Sequence, residues 1–169
     1  MSNINIRVPG LLTDVDTTAR TKVGTPWLDE SNQKKYMYVY NAGATSWVAG
    51  DPVGVFLTGT AVGNCSFTAA TQLLIAEGGT DVTAIAGIGL STVATTQYGW
   101  IQIAGYCTAV TTDGNVDASE GLYVADNGVV ALPVTEPTHV GRFGTCVVAD
   151  GATTTCTAYL DRTFWNVAS

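Results

Sequence analysis

Charged side chains are scarce in this sequence, at 12% of 169 residues against the roughly 25% usual for soluble domains. Those present are mostly acidic, 14 Asp and Glu against 7 Lys and Arg, for a net charge of −7. No basic run exceeds Lys34-Lys35. Phosphate recognition needs clustered Lys and Arg, so direct nucleic-acid binding is not expected. Histidine occurs once, as His139, with no serine or cysteine nucleophile motif nearby, and reads as a surface residue. Gly89-Leu90-Ser91-Thr92-Val93 starts like a nucleophile elbow but has Val93 where glycine is required.

The four cysteines (Cys65, Cys107, Cys146, Cys156) have no C-x-x-C spacing and no histidine cluster beside them. They read as buried thiols rather than zinc ligands. Cys146 and Cys156 lie equally far from Gly151, so a hairpin centred there would leave a cross-strand disulfide open to them. Asp113-Gly114-Asn115-Val116-Asp117 opens like a calcium loop. Ala118 then replaces the turn glycine, and the twelfth position holds Val124 instead of glutamate. Casual surface calcium through Asp113, Asn115, Asp117 and Glu120 is the most that remains. The longest apolar stretch, Val82 to Val93, is interrupted by Gly87 and Gly89 and falls short of the ~20 residues of a membrane span. The opening MSNINIRVPG has neither the basic nor the apolar region of a secretion signal. These absences point to a chain with no catalytic activity, no cofactor, no bound metal and no membrane contact.

What is abundant is β-forming sequence. Tyr36-Met37-Tyr38-Val39-Tyr40 alternates three tyrosines with two aliphatic residues, the period-2 pattern of a strand with two unlike faces. Asp113-Gly114, Asn127-Gly128 and Asp150-Gly151 lie between β-favouring runs and supply the positive φ that hairpin turns use. Only Ala69 to Ala76, before Gly78-Gly79, admits a short helix, and Leu73-Leu74-Ile75 suits a strand equally well. Two phrases recur. Ala49-Gly50-Asp51-Pro52-Val53-Gly54-Val55 is echoed by Ser119 to Val124. Gly87 to Val93, followed by Tyr98 to Ile103, is echoed by Gly141 to Val147, followed by Thr153 to Leu160. The order predicts two β-motifs of similar layout joined in one unit.

The fold class expected is all-β: a compact β-barrel or β-sandwich of short antiparallel strands over 31–169, preceded by an extended arm over 1–30. The arm has no regular apolar period, is punctuated by Pro9-Gly10 and Thr25-Pro26, and carries Trp27 as a natural anchor. It packs either on a partner or on its own domain as an edge strand. Phe164 and Trp165, near the other end, either close the core or form a subunit contact.

This order of phrases resembles the small β-rich decoration, or cement, proteins of tailed-bacteriophage heads. The match runs from about Lys35 to Arg162: the tyrosine strand Tyr36–Tyr40, the A-G-D-x-V turn Ala49–Val53, the G-x-G phrase Gly87–Gly89, and a hairpin from Asp126 to Val130 leading to Gly141. The resemblance implies a homotrimer in the virion, assembled in the host cytoplasm, on the outer surface of the expanded capsid. There it would bind the major capsid protein and stabilise contacts between its subunits. Val23, Trp27 and Leu28 are the candidate capsid contact, and Phe164 and Trp165 the candidate subunit contact. The alternative is a carbohydrate-binding or adhesin-like β-domain of a virion fibre, with Trp47, Trp100 and Tyr98 stacking on sugar rings.

Overall fold

A computed structural model describes residues 10–43, 45–57, 65–69, 83–112, 114, 116–124, 140–149 and 154–161. Among the described residues nine strands run in chain order: β1 Pro26–Asp29, β2 Lys34–Tyr40, β3 Pro52–Leu57, β4 Cys65–Ala69, β5 Thr83–Gly89, β6 Tyr98–Thr111, β7 Gly121–Val124, β8 Val140–Val148 and β9 Thr155–Leu160. Every pairing is antiparallel. The sheet follows the path β4-β3-β5-β6-β9-β8-β7, with β2 added to β6 and β1 to β2. The all-β architecture is as the sequence indicates, and among the described strands the path stays open rather than closing into a barrel. Ala69 ends β4, and the rest of the candidate helix lies outside the described residues.

The recurring phrases are a structural repeat. In the first copy β3 pairs β5 and β5 pairs β6; in the second β7 pairs β8 and β8 pairs β9. The turns that open the two copies match bond for bond. Asp51 N–H donates to Val48 O and Val48 N–H to the Asp51 carboxylate. Glu120 N–H donates to Asp117 O and Asp117 N–H to the Glu120 carboxylate. Gly50 and Ser119, the central residues, both have positive φ, 93° and 77°. Each turn then hooks the next strand. Gly50 N–H donates to Gly89 O and Gly89 N–H to Asp51 O; Ser119 N–H donates to Cys146 O and Cys146 N–H to Glu120 O. Register makes Gly87 the counterpart of Gly144, since they face Val53 and Leu122. The echo in sequence aligns Gly87 with Gly141, three residues away, because glycines recur in β8.

β6 belongs to both copies. Residues 98–104 pair with β2, and residues 105–111 pair with β9. The halves meet at Gly105, whose φ is +90°, a conformation that costs any residue with a Cβ. The buried Gln102 amide spans this bend, donating to Ala104 O at 3.3 Å and Tyr106 O at 3.1 Å.

Each copy has its own core. Met37, Val39, Trp47, Val53, Ala86, Val93 and Ile101 fill the first. Cys107, Val110, Val116, Leu122, Phe143, Cys146, Cys156, Ala158 and Leu160 fill the second, with Ile88 of β5 reaching into it. Cys107, Cys146 and Cys156 are buried thiols, and burial pushes the Cys107 thiol up. Cys146 stands opposite Ala158, and Cys156 opposite Val110, so the open question of a bond between them resolves against it. The β8–β9 pairing centres beyond Gly151, and a bulge at Val147 inserts one more residue into β8. Of the turn dipeptides, Asp113, Asn127-Gly128 and Asp150-Gly151 lie outside the described residues, and β6 and β7, on either side of Gly114, are not neighbours in the sheet.

Candidate functional site

The two outer faces of the sheet differ in how they are covered. On the first copy, period-2 alternation in β2 sends Tyr36 and Tyr38 away from the aliphatic core, where they join Trp100 of β6. Tyr38 lies 5.9 Å from Tyr98 and 5.2 Å from Trp100, ring to ring, and Tyr40 lies 4.8 Å from Tyr98. Tyr38 is fully buried and Trp100 nearly so. Such a face is too apolar to leave in water.

The chain covers it with its own N-terminal segment. β1 pairs with β2, setting Trp27 opposite Tyr36, with their rings stacked at 5.3 Å. Leu12 packs on the same aromatic cluster, while Val15 and Val23 pack on the aliphatic core. Asp16 and Tyr98 exchange backbone hydrogen bonds of 2.9 and 2.8 Å. A polar clasp completes the cover. Tyr38 Oη donates to Asp16 Oδ2 at 2.8 Å and accepts from Arg20 N–H at 3.2 Å. The Arg20 guanidinium pairs with Asp14 at 2.9 Å and with Asp16. The hydrogen bond from Arg20 holds the Asp14 carboxyl below its usual range. Burial, reinforced by the neighbouring Asp16 carboxylate, pushes the Tyr38 phenol up to about 12. The phenol therefore stays a donor across the physiological range.

A Tyr38→Phe variant tests the clasp. It removes the hydroxyl shared by Asp16 and Arg20 and leaves the ring stack intact. The expected loss is about 1–2 kcal/mol of unfolding free energy, read from the midpoint of urea denaturation. An unchanged midpoint would mean that the cover is held by the rings alone.

On the second copy the equivalent face has no counterpart of this cover among the described residues. Tyr106 occupies the place of Tyr36, and Tyr159 the place of Gln102, as the pairs Tyr106↔Tyr159 and Tyr36↔Gln102 show. Thr157 stands where Trp100 stands in the first copy, and opposite it β6 bulges between Cys107 and Val110, so that Thr108 and Ala109 share the place of Tyr38. Tyr106 is 42% exposed and Tyr159 50%. The bulge in β8 leaves Val147 and Val148 exposed as well. Four of the seven large hydrophobic residues exposed among the described residues thus belong to this one block. Arg142 closes one end, hydrogen-bonded to Thr145 and 3.6 Å from Asp161.

Of the residues singled out in the sequence, Val23 and Trp27 are half-buried on their own subunit, and Leu28 is 44% exposed. Phe164, Trp165 and His139 lie outside the described residues. Trp47 and Trp100 are buried, at 0% and 3% exposure, and Tyr98 is packed between Tyr38 and Tyr40. The sugar-stacking role suggested for Trp47 and Trp100 is therefore corrected: both are buried. Asp117 and Glu120 close a turn, and Asp113 and Asn115 lie outside the described residues. Among the described residues, no three His, Cys, Asp or Glu side chains converge as a metal-binding set, and no helix is long and apolar enough to cross a membrane. Sequence pattern alone does not single out Tyr106, Tyr159, Val147 and Val148; an exact alignment of the two copies brings out that they are exposed where the first copy is covered.

No protein-family model matches the chain, and no curated protein matches it either. Among solved structures it is similar to the N base of head fiber gp8.5 of bacteriophage phi29, with a TM-score of 0.48 and 12% identity over 75% of this chain and 95% of that one. A likeness of that degree carries no argument about function.

Proposed function

We propose that the chain is a structural protein of a tailed-phage virion that binds the outside of the expanded capsid and stabilises contacts between major-capsid subunits. It acts without catalysis or cofactor. The observation that carries this reading is that three of the four phrases resembling the decoration proteins belong to the frame of the fold, the hairpin from Asp126 to Val130 lying outside the described residues. Tyr36–Tyr40 is β2, Ala49–Val53 is the carboxylate-closed turn into β3, and Gly87–Gly89 is the end of β5 that pairs with β6, with Gly87 close against the Gln102 backbone. A protein that binds only the assembled, expanded lattice stabilises it by mass action, and a homotrimer engages three sites through one encounter. The sparse, acidic surface suits a position outside the shell, away from DNA. Val23 and Trp27 support the contact from beneath, and Leu28 is the side chain of the three that is free to touch a shell subunit.

The test is co-sedimentation of the purified protein with expanded heads that lack it. Saturable binding and a higher capsid melting temperature are expected. Leu28→Asp should weaken that binding about tenfold, the equivalent of roughly 1.4 kcal/mol, with no change in the protein's own melting. Absence of binding by the unaltered protein to heads of its own phage would overturn the proposal.

A further inference from the structure

We infer that the outer face of the second copy binds an uncharged polysaccharide chain, laid across β6, β9 and β8 over Tyr106 and Tyr159. The site is separate from the capsid contact proposed at Leu28. Tyr106, Tyr159 and Thr145 stand in one row, strand beside strand, and both tyrosines are half exposed. Tyr36, Tyr38, Tyr40 and Tyr98 each pack on a neighbouring ring. Tyr106 and Tyr159 stack on no other ring among the described residues, and their phenols have no hydrogen-bond partner there. The next row along the strands is made of shorter side chains, Thr108 and Ala109 on β6, Thr157 on β9 and Val148 on β8. The tyrosine rings therefore project beyond it and are open on that flank. Beside the row, Arg142 and Asp161 lie 3.6 Å apart, both partly exposed.

Three features select this ligand. The first is chemistry. A pyranose ring has a face of C–H groups that packs on an aromatic ring, and a rim of hydroxyls that both donate and accept. Tyrosine matches it with an apolar ring and a polar tip. Around the tyrosines, threonine hydroxyls donate and accept, Arg142 donates and Asp161 accepts. The second is charge. Neither row holds a charged side chain, and Arg142 and Asp161 offset each other. The chain as a whole carries −7, which repels anionic sugars and nucleic acids. The third is size. Three strands about 4.8 Å apart, with about five residues of each at 3.3 Å, make a patch on the order of 250 Å². A stable protein contact takes about 800 Å² from each partner, so this patch alone is too small for a second copy or another protein, and it suits a few sugar rings. The spacing between strands is close to the length of one sugar unit in an extended chain. Successive rings then fall on Tyr106 and Tyr159, which favours a chain over a free monosaccharide.

Aromatic NMR spectra of the full chain, titrated with cellohexaose, maltohexaose, mannohexaose and chitohexaose, test this. Each sugar is taken to about 5 mM, enough to fill a site with a dissociation constant near 1 mM. At least one should shift the Tyr106 and Tyr159 ring signals saturably and leave those of Tyr36 and Tyr38 in place. The anionic hexamer of galacturonic acid should bind more weakly than that sugar. Tyr159→Ala should weaken binding about tenfold, the effect of losing one stacked ring, while Tyr159→Phe should keep most of it. Tyr106→Ala serves if Tyr159→Ala folds poorly. No saturable shift with any of the four neutral sugars overturns the inference. So does binding that spares both tyrosines, or equal binding of the anionic hexamer. Tyrosine signals that move with protein concentration and not with sugar would give the face to a second copy instead, and overturn it as well. Leu28→Asp should bind sugar like the unaltered protein, so this inference and the capsid proposal fail separately.

Discussion

Trp47→Ala should lower the unfolding free energy by about 3–5 kcal/mol, the range for deleting a buried tryptophan. That is a large part of the roughly 5–15 kcal/mol that holds a domain folded. Trp47 has no exposed surface and lies at the centre of the first core. Its backbone bridges Val93, accepting from Val93 N–H at 3.0 Å. Its indole N–H has no hydrogen-bond partner among the described residues, so the loss is one of packing and not of a bond. The urea midpoint should fall with little change in slope. The repeat refines the test. Val116 holds the equivalent place in the second core, and Cys146 stands where Gly89 stands in the first. A Cβ on Gly89 would come within 2.7 Å of Trp47 Cδ1, so the large and small residues are exchanged between copies. Trp47→Val alone should leave a cavity. Shortening the indole relieves only its own contact with a Cβ at Gly89 and leaves the Val48 backbone oxygen at 2.9 Å. With Gly89→Cys added, the double variant should lose less than the sum of the two single ones without regaining the stability of the unaltered protein. Gly89→Cys alone should destabilise. If the double variant is no better than the sum of the single ones, the copies do not pack by the same rule.

Gly105→Ala should cost about 3 kcal/mol, from two sources of comparable size. The residue has a φ of +90°, and a Cβ there would lie 2.6 Å from Gln33 O, a backbone atom that cannot swing aside. Gly24 separates the two contributions. Its φ is +86°, with nothing within 4 Å of a built Cβ, so Gly24→Ala registers backbone strain alone. Thermal unfolding of both variants should place Gly105→Ala clearly lower. Equal losses would mean that β6 can shift away from Gln33 at no cost, and that the bend is not fixed by this contact.

Much of the fold is written in period and turn. The tyrosine alternation of β2, the Ala49–Val53 turn and the echo near Ser119 all declare themselves, because strand faces and tight turns are local properties. Depth is not local. Trp47 and Trp100 read equally well as surface stacking residues or as core, and what buries them is cover from elsewhere in the chain. Register is not local either. Counting from Gly151 sets Cys146 against Cys156, and one bulged residue with a displaced turn centre is enough to part them. The aliphatic and aromatic residues of 10–29 show no period because they serve two surfaces at once, Val15 and Val23 the aliphatic core, Leu12 and Trp27 the aromatic face. For the candidate site, the residues named in the sequence were large apolar ones. The exposed tyrosines emerge only when equivalent positions of the two copies are compared.

The continuity of β6 through both copies determines how the molecule carries load. Antiparallel hydrogen bonds lie across the strand direction. A pull along β6 therefore loads its bonds to β2 and β9 in shear, many at once, while a pull across the sheet peels them one after another. A tension that reaches one copy passes along an unbroken backbone into the other, with Gly105 as the bend and the Gln102 amide as its brace. Resistance to forced separation should accordingly depend on direction, high along this strand and low at the β7 and β4 edges.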